Sequence, residues 1–341
     1  MSEKIVIGII GGGRIGRLHA ENIIYNIPQV KIKSISDIFS DQVKLWAYDL
    51  GIKNVYEDYK EIINDPEINA VLICSSTNTH AQFAVEAAEA GKNIFCEKPI
   101  DLNVGKIKEV IAAVEKSGVK CQVGFNRRFD HNFKKVRELV KQGKVGELHI
   151  IKITSRDPAP PPEEYVKVSG GIFLDMTIHD FDMGRYLSGS EVEEVYVQAA
   201  VLVEPYIGEA GDVDTAVITL KFKNGAIGII DNSRKAVYGY DQRVEVFGSK
   251  GCVTVSNDAP TSAVLSCEEG VFSDKPKYFF LERYKDSYIE EMQDFFKAIA
   301  NNSDTPVTVV DGLKPVLIGL AAKKSLKENR PVKISEIENE N

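Results

Sequence analysis

The sequence predicts an α/β fold, in which a doubly wound parallel sheet is followed by an α+β domain with a largely antiparallel sheet. In the first third of the chain, short β-rich runs alternate with helical patterns, which is typical of parallel strands joined by right-handed crossovers. After Gly124 longer runs with many β-branched residues follow, and Asn224-Gly225 is a turn signal between two of them. A length of 341 residues favours two domains. We predict a dinucleotide-binding domain at residues 1–124 and a second domain at residues 125–341.

The predicted elements follow this change of pattern. The strands of the first domain are expected at residues 4–10, 31–36, 70–74, 93–96 and 120–123. Its helices are expected at residues 14–25, 41–50, 80–90 and 104–116. In the second domain, strands are expected at residues 147–155, 192–203, 215–221, 226–233 and 243–247. Its helices are expected at residues 132–142, 174–187, 284–300 and 313–329.

Composition and charge argue against several classes of protein. Hydrophobic residues make up 43% of the chain and charged residues 27%, as in globular rather than disordered proteins. The longest apolar runs are as long as strands, and none approaches the ~20 residues of a membrane span. A net charge of −8 argues against a nucleic-acid surface, which needs clustered cations. Because no export signal begins the chain, we expect a cytoplasmic protein.

The five cysteines predict neither a metal site nor a disulfide framework. They are odd in number and widely spaced, and the sequence has no CxxC pair. Cys74, Cys96 and Cys121 lie in apolar, strand-like runs, where cysteine acts as a small buried hydrophobic residue. We therefore expect no bound metal and a reducing compartment.

A glycine-rich turn after the first predicted strand indicates a dinucleotide site. Gly11-Gly12-Gly13-Arg14-Ile15-Gly16 has the spacing GxGxxG and opens a helix, which is the context that this motif requires. Gly11 permits a tight turn, Gly13 lets backbone N–H groups approach the pyrophosphate, and Gly16 lets the helix pack close to the sheet. Arg14 and Ile15 are expected to contact the cofactor at the helix N-terminus. The sequence thus predicts a Rossmann domain.

Asp37 favours NAD over NADP. It follows the second strand at about the ~20 residues that the fingerprint expects, where a carboxylate accepts hydrogen bonds from the adenosine ribose. That carboxylate would repel a 2′-phosphate, and Ile38 offers no cation to neutralise it. A glycine-rich turn without a ligand is the alternative, but strand, glycines, helix, second strand and acid all occur in order.

The next strand end also borders the predicted cofactor site. Ser75 to His80 follow the strand at residues 70–74, and ligands of open α/β sheets bind at the carboxyl ends of strands. Thr77 and Asn78 are expected to contact the cofactor. His80 either contacts it as well or is a structural residue at the start of a helix.

Lys98 is the first candidate for the chemistry. Glu97-Lys98-Pro99 ends the strand at residues 93–96, and proline restricts Lys98 to an extended conformation. A cation aimed in this way could hold a substrate hydroxyl and stabilise developing alkoxide character. The alternative is a solvated lysine at a strand end. The Lys98–Pro99 peptide could be cis.

Asp175, His179 and Asp182 form the second candidate group. On a continuous helix the i, i+4, i+7 spacing places them on one face. Histidine suits the removal of a hydroxyl proton because its pKa lies near neutrality, and a neighbouring carboxylate can orient the imidazole. The alternatives are a surface pair and a metal site, the latter disfavoured because no further His or Cys lies at ligand spacing.

Tyr238 and Tyr240 are candidates for contact with a hydroxylated ligand. If the Tyr238-Gly239-Tyr240 segment is a strand, both phenols point to the same face. They would then offer hydrogen-bond partners and a flat apolar wall, although ordinary sheet packing explains the pair equally well.

Together these motifs resemble the Gfo/Idh/MocA family of oxidoreductases over the whole chain. The resemblance rests on the glycine turn, Phe95-Cys96-Glu97-Lys98-Pro99, Gly124-Phe125-Asn126-Arg127-Arg128, the segment from Asp175 to Asp182, and the closing stretch at residues 311–332. The Glu-Lys-Pro and Asp-x-x-x-His motifs in this order are specific to the family.

The resemblance implies roles for the candidate residues. His179 would be the general base, Asp175 its partner, and Lys98 would contact the substrate and the nicotinamide ribose, with Glu97 beside the cofactor. The resemblance implies oxidation of myo-inositol to the 2-keto sugar with NAD. The alternatives are a dehydrogenase for scyllo-inositol or another cyclic polyol or pyranose, and a NAD-binding sensor without turnover.

The resemblance also implies substrate contacts and an assembly. Its substrate-binding positions fall on Asn126, Arg127, Ser155, Asp157, Asp175, His179, Asp182, Tyr238 and Tyr240. Relatives can carry His and Asn where this chain has Ser155 and Asp157, so the chain departs from the pattern there. The second domain would present an open-faced sheet, through which homodimers or tetramers form.

Overall fold

The computed structural model describes residues 5–340, and the chain divides into two compact units. One unit comprises Met1–Asn126 with Asp286–Lys314, and the other comprises Arg127–Lys285 with Pro315–Asn341. Lys4, which the sequence placed in the first strand, lies outside the described residues. The first division falls near the proposed boundary after residue 124, but the segment Asp286–Lys314 returns to the first unit.

The elements occur in an order that reflects the predicted alternation. The helices are α1 (Arg14–Asn26), α2 (Ser40–Ala47), α3 (Lys60–Ile63), α4 (Thr77–Glu89), α5 (Val104–Ser117), α6 (His131–Lys141), α7 (Glu163–Val166), α8 (Ile172–Asp175), α9 (Ile178–Ser188), α10 (Pro205–Glu209), α11 (Phe280–Arg283), α12 (Lys285–Asn301), α13 (Val309–Glu328) and α14 (Ile334–Glu340). The strands are β1 (Ile5–Ile10), β2 (Val30–Ser36), β3 (Asn54–Tyr56), β4 (Ala70–Ile73), β5 (Asn93–Cys96), β6 (Cys121–Val123), β7 (Leu148–Arg156), β8 (Val192–Ala200), β9 (Thr215–Phe222), β10 (Ile227–Ser233), β11 (Asp241–Gly248), β12 (Gly251–Val255), β13 (Val264–Cys267), β14 (Gly270–Ser273) and β15 (Val332–Lys333).

The sheet of the first unit confirms the predicted doubly wound fold. Its strand order is β3-β2-β1-β4-β5-β6, and every neighbouring pair is parallel. The order reverses between β1 and β4, so the loops at the carboxyl ends of these strands border the crevice where such sheets bind ligands. Strand β3 was not predicted, because three residues are too few for a periodic signal.

Helix α12 completes the core of the first unit. Phe295 and Phe296 of this helix belong to the same buried cluster as Ile7, Leu72 and Phe95 of the parallel sheet. Burial of this apolar surface is the main force that holds a distant part of the sequence on the sheet. The return of the chain therefore follows from packing rather than from any local signal.

The sheet of the second unit is mixed but largely antiparallel, as predicted. Its strand order is β12-β11-β7-β10-β9-β8-β15, with a parallel pairing between β7 and β10. The pairings of β10 with β9, β9 with β8, β11 with β7, β11 with β12 and β15 with β8 are antiparallel. Along β9 buried residues alternate with exposed ones, so one face of the sheet is covered and the other is open.

The prediction of one continuous helix at residues 174–187 was wrong. The segment forms α8 and α9, which are separated at Met176 and Thr177. The amide of Thr177 donates to the carbonyl of Ile172, five residues earlier, which interrupts the i to i−4 ladder. The Thr177 hydroxyl also donates to Oδ1 of Asn232, at 2.6 Å. Asp175 therefore does not share a continuous helical face with His179.

No helix within residues 5–340 combines the length and the apolar character that crossing a membrane would require.

Candidate active site

The turn between β1 and α1 has the geometry that the glycine motif predicts. Gly11 has φ +100°, and a Cβ on it would lie 2.5 Å from the backbone nitrogen of Ser75. A Cβ on Gly16 would lie 1.9 Å from the carbonyl oxygen of Gly11, so helix and turn could not approach each other with a larger residue. Gly13, the N-cap of α1, faces open space. The helix N-terminus is thus accessible to a phosphate.

Asp37 is held against the glycine turn. Its Oδ2 accepts a hydrogen bond of 2.7 Å from the amide of Gly12, and its Oδ1 accepts one of 2.8 Å from the amide of Phe39. The side chain of Ile38 is exposed. A carboxylate fixed beside the turn in this way has the placement that the dinucleotide fingerprint expects of its acidic residue.

The contacts of His80, which follows the end of β4, indicate a structural role. Thr77 and Asn78 form the first turn of α4, whose N-cap is Ser76. His80 is buried, and its ring nitrogens lie 2.8 Å from the carbonyl oxygen of Pro99 and 2.9 Å from that of Ser75. Both nitrogens are engaged with the backbone, which favours the structural alternative for this residue.

The Glu-Lys-Pro segment follows β5 at the same edge of the sheet. The Lys98–Pro99 peptide is cis, as the sequence suggested, and Lys98 is half-buried. The Glu97 carboxylate lies 2.8 Å from Nε2 of His19. A Cβ on Gly124 would lie 3.0 Å from Oε2 of Glu97, so a glycine at that position leaves room for this carboxylate.

A buried acidic group lies beside Glu97. Glu291 of α12 is fully buried, and neither of its carboxylate oxygens has a hydrogen-bond partner among the described residues. Burial, reinforced by the charge of Glu97, raises the pKa of Glu291 well above its usual range. Potential ligand atoms of His19, Glu97 and Glu291 lie within 4.8 Å of one another, although the cysteine and histidine spacing had predicted no metal site.

In the second unit, an arginine joins two of the predicted site residues. Asp175 accepts a hydrogen bond of 2.9 Å from Nη2 of Arg234 and one of 2.8 Å from the hydroxyl of Tyr165. Arg234 Nη1 also donates to Asp157, at 3.2 Å. Burial raises the pKa of Asp157, and the positive charge of Arg234 opposes that rise. Sequence reasoning missed both Arg234 and Tyr165, and no spacing signal links either of them to Asp175.

The predicted substrate residue Arg127 lies in a buried polar network. Its Nη1 donates to Asp180 at 2.6 Å and to the hydroxyl of Ser155 at 3.3 Å, and its Nη2 donates to the hydroxyl of Tyr240 at 3.4 Å. Asp180 also accepts a hydrogen bond from Asn232, at 2.9 Å. The structure therefore brings Arg127, Ser155 and Tyr240 together, around a carboxylate that sequence reasoning missed.

Asp182 occupies a different environment from the one predicted. It is buried, and both of its oxygens accept hydrogen bonds from Arg128, at 2.6 and 2.8 Å. Two parallel N–H···O bonds hold its carboxylate in an internal ion pair. The break between α8 and α9 removes the helical spacing that had grouped Asp182 with Asp175. Asn126, another predicted contact, is buried, and its Nδ2 has no partner among the described residues.

Tyr238 and Tyr240 do not share a face, contrary to the strand interpretation. Strand β11 begins only at Asp241, and Gly239 has φ +132°. The side chain of Tyr238 is 39% exposed and that of Tyr240 is 5% exposed, so the two rings point into different environments. The Tyr238 hydroxyl donates to Asp241 at 2.6 Å and accepts from Arg156 at 3.1 Å.

These features define a NAD-dependent oxidoreductase, and similarity to known proteins places it in a family. Residues 5–125 match the NAD-binding Rossmann-fold domain of the Gfo/Idh/MocA oxidoreductase family, and residues 133–254 match a C-terminal domain of that family. The chain belongs to the Gfo/Idh/MocA family, and its cofactor is NAD.

Individual relatives cover almost the whole chain. It is 55% identical over 338 residues to the uncharacterized oxidoreductase YrbE of Bacillus subtilis, with 99% of each chain covered. It is 53% identical over 331 residues to the myo-inositol 2-dehydrogenase of Thermotoga maritima, covering 97% of this chain and 99% of the relative. The crystal structure of scyllo-inositol dehydrogenase from Lactobacillus casei, with bound NAD(H) and scyllo-inositol, matches with a TM-score of 0.91 and 31% identity, covering 97% of this chain and 99% of that one.

Proposed function

We propose that the protein oxidises myo-inositol to 2-keto-myo-inositol (scyllo-inosose) by hydride transfer to NAD. The observation that carries this proposal is the match over nearly the whole chain, at 53% identity, to a myo-inositol 2-dehydrogenase. A dehydrogenase for scyllo-inositol or another cyclic polyol or pyranose is the second candidate. It is favoured by the similarity to the scyllo-inositol dehydrogenase structure and by Ser155 and Asp157, where relatives can carry other residues.

The first unit would hold the cofactor through the turn after β1. The open space over Gly13 leaves the N-terminus of α1 available for the pyrophosphate, and the carboxylate of Asp37 would bind the adenosine ribose. NAD supplies a hydride acceptor when bound. Arg14, Ile15, Thr77, Asn78 and Glu97 are the further residues that we expect to contact it.

The second unit would supply the base. His179 would accept the proton of the reacting hydroxyl, because the ordinary pKa of histidine lies near neutrality. Asp175 would stabilise the imidazolium that forms, as the aspartate of a Ser-His-Asp triad does. Lys98 of the first unit would hold the substrate oxygen as negative charge develops on it.

Polar groups of the second unit would recognise the ring hydroxyls. Asp157 is 18% exposed in its side chain and offers acceptor oxygens, whereas Tyr238 offers a phenol that is partly accessible. Arg127 and Tyr240 are almost fully buried, so they would support the residues that contact the substrate rather than contact it themselves. We propose the same supporting role for Ser155.

The proposed activity can be separated from cofactor binding without turnover. NADH absorbance should rise when the protein and NAD are mixed with myo-inositol, and a panel of other inositols and pyranoses would rank the substrates. A NAD-binding sensor would bind NAD but give no absorbance change with any member of the panel, which would overturn the proposal. Activity greatest with scyllo-inositol or with a pyranose would select the second candidate.

We also propose that the protein assembles as a homodimer or homotetramer through the open face of the large sheet. Val217, Ile227 and Phe247 are 50%, 52% and 42% exposed on strands in which buried residues alternate with more exposed ones, and a face of this kind is commonly covered in an oligomer. The buried thiols of Cys74, Cys96 and Cys121 suit a cytoplasmic enzyme. There it would act in inositol catabolism.

A further inference from the structure

Arg234 occupies a position fixed by two neighbouring parallel strands. It follows the last residue of β10, and Asp157 follows the last residue of β7, with Ser233 opposite Arg156 in the register. The amide of Asp157 donates to the carbonyl of Ser233, and the amide of Ala236 donates to the carbonyl of Asp157. The backbone amide of Arg234 itself donates to the backbone carbonyl of Asp214, at 2.8 Å. These bonds hold the backbone on both sides of the Arg234 side chain.

The guanidinium of Arg234 balances two carboxylates. It is 4% exposed and donates through separate nitrogens to Asp157 and Asp175. Buried carboxylates that lie close together disfavour ionisation of each other, and the negative charge of Asp175 is among the causes that raise the pKa of Asp157. A cation with two fixed donor directions opposes that penalty and sets the orientation of both acids.

The second oxygen of Asp175 is also fixed. Arg234 binds Oδ2, while the hydroxyl of Tyr165 donates to Oδ1. A carboxylate that is held at both oxygens cannot rotate freely. An anion held in this way can stabilise a neighbouring imidazolium without reorganising during the reaction.

We propose that Arg234 is a positioning residue for the dehydrogenase reaction, because it orients Asp175 for His179 and ties that acid to Asp157. The inference rests on the proposed function, in which Asp157 binds a substrate hydroxyl. The buried Arg234 cation then contacts both Asp157, which binds the substrate, and Asp175, which orients the base His179. Neither Arg234 nor Tyr165 needs to touch the reacting atoms.

The charge of Arg234 affects the pH at which the base works. Among the described residues, the charged and titratable groups that interact with Asp157, Asp175 or Arg234 include Arg127, Tyr165, Tyr206 and Tyr240. Loss of the Arg234 cation leaves the carboxylates unbalanced, and their charge then favours the protonated imidazole of His179. The acidic limb of the pH profile should therefore move to higher pH.

The test uses the full chain with NAD and myo-inositol, and compares Arg234→Met and Arg234→Lys with wild type. For Arg234→Met we expect kcat/KM to fall by roughly 100-fold because the acids lose their alignment, and the acidic limb to rise by roughly one pH unit. NADH affinity, measured by fluorescence, should stay near wild type. Arg234→Lys keeps the charge but not the two-pronged geometry, so it should recover the pH limb and only part of kcat/KM.

Arg283→Lys is a matched control. Arg283 is likewise a buried arginine of the second unit between two carboxylates, Asp130 and Asp258. This change should lower the melting temperature and leave the acidic limb where wild type has it. If Arg234→Met keeps the wild-type pH limb and kcat/KM, or if both Arg234 variants change activity only as Arg283→Lys does, the inference is wrong. If Arg234→Met does not fold, the inference is judged on Arg234→Lys, whose kcat/KM should be lower than that of wild type. A wild-type enzyme that is inactive on the whole polyol panel overturns the proposed function instead.

Discussion

Replacing Glu291 with glutamine should stabilise the protein at neutral pH, by an amount that grows with pH. The carboxylates of Asp130, Asp180 and Asp182 each contact an arginine, whereas neither carboxylate oxygen of Glu291 has a hydrogen-bond partner among the described residues. Burial and the charge of Glu97 raise the pKa of Glu291 well above 4.5. The side chain is therefore protonated in the folded protein, and glutamine has nearly the same shape.

The sign and the size follow from proton linkage. Below the unfolded-state pKa of 4.5, Glu291 is protonated in both states, and its contribution to stability is fully present. Above that pKa the unfolded chain releases the proton while the folded protein keeps it, so stability is lost as the pH rises towards the folded pKa. The loss is about 1.4 kcal/mol per pH unit. The glutamine variant does not titrate, so its advantage should grow by that amount, or by about 2 °C in melting temperature per pH unit for a chain of 341 residues.

Urea unfolding of the two proteins at pH 5, 6, 7 and 8 measures this difference directly. Glu291→Ala is the control: it should show the same pH dependence relative to wild type, displaced to lower stability by the cavity that the smaller side chain leaves. A glutamine variant that is less stable than wild type at every pH would refute the reasoning. Elemental analysis would then show whether His19, Glu97 and Glu291 bind a divalent metal, which would require an ionised Glu291.

Three further substitutions test the proposed site. His179→Asn should lower kcat by about 10²- to 10⁴-fold through loss of the base, with NADH affinity near wild type in a fluorescence titration. Asp37→Ala should raise the ratio of kcat/KM for NADP to that for NAD by roughly tenfold or more, because a charge that repels the 2′-phosphate is removed. Gly16→Ala should destabilise the protein by about 2–3 kcal/mol in urea unfolding, because its Cβ would meet the backbone oxygen of Gly11 at 1.9 Å.

Each of these expectations has a contrary outcome. Turnover that survives in His179→Asn would assign the base to another residue, and lost NADH binding would place His179 in the cofactor site. An unchanged cofactor ratio in Asp37→Ala would mean that the selection against NADP lies elsewhere. A Gly16→Ala protein of normal stability would mean that α1 can move away from the turn at little cost.

The cofactor half of the site could be predicted from sequence because its determinants are local. Gly11, Gly13 and Gly16 lie within six consecutive residues, and Asp37 follows at the end of the next strand of the same βαβ unit. A backbone turn with a positive φ and a close approach restricts the residue type directly, so the sequence reports the geometry. The cis Lys98–Pro99 peptide was suggested in the same way, by a proline at a strand end.

The substrate half depended on contacts between distant segments. Helical spacing selected Asp182, but its carboxylate pairs with the partly buried Arg128, while Asp180 pairs with Arg127. The rule that strand residues alternate in direction failed at Tyr238 and Tyr240, because Gly239 adopts a conformation outside the strand region. Periodic patterns indicate which face a residue occupies only where the element is regular.

The sequence by itself determined the doubly wound sheet, the glycine turn, the acidic residue Asp37 after the second strand and the candidate base. Only the tertiary structure decided which charges meet. Arg234 reaches Asp157 across 77 residues of sequence because β7 and β10 pair in parallel and end side by side. It reaches Asp175, the last residue of α8, across 59 residues. Burial on the parallel sheet likewise brings α12, and with it Glu291, into the first unit. Such pairings are set by the packing of whole elements, so the sequence around each residue does not indicate its partner.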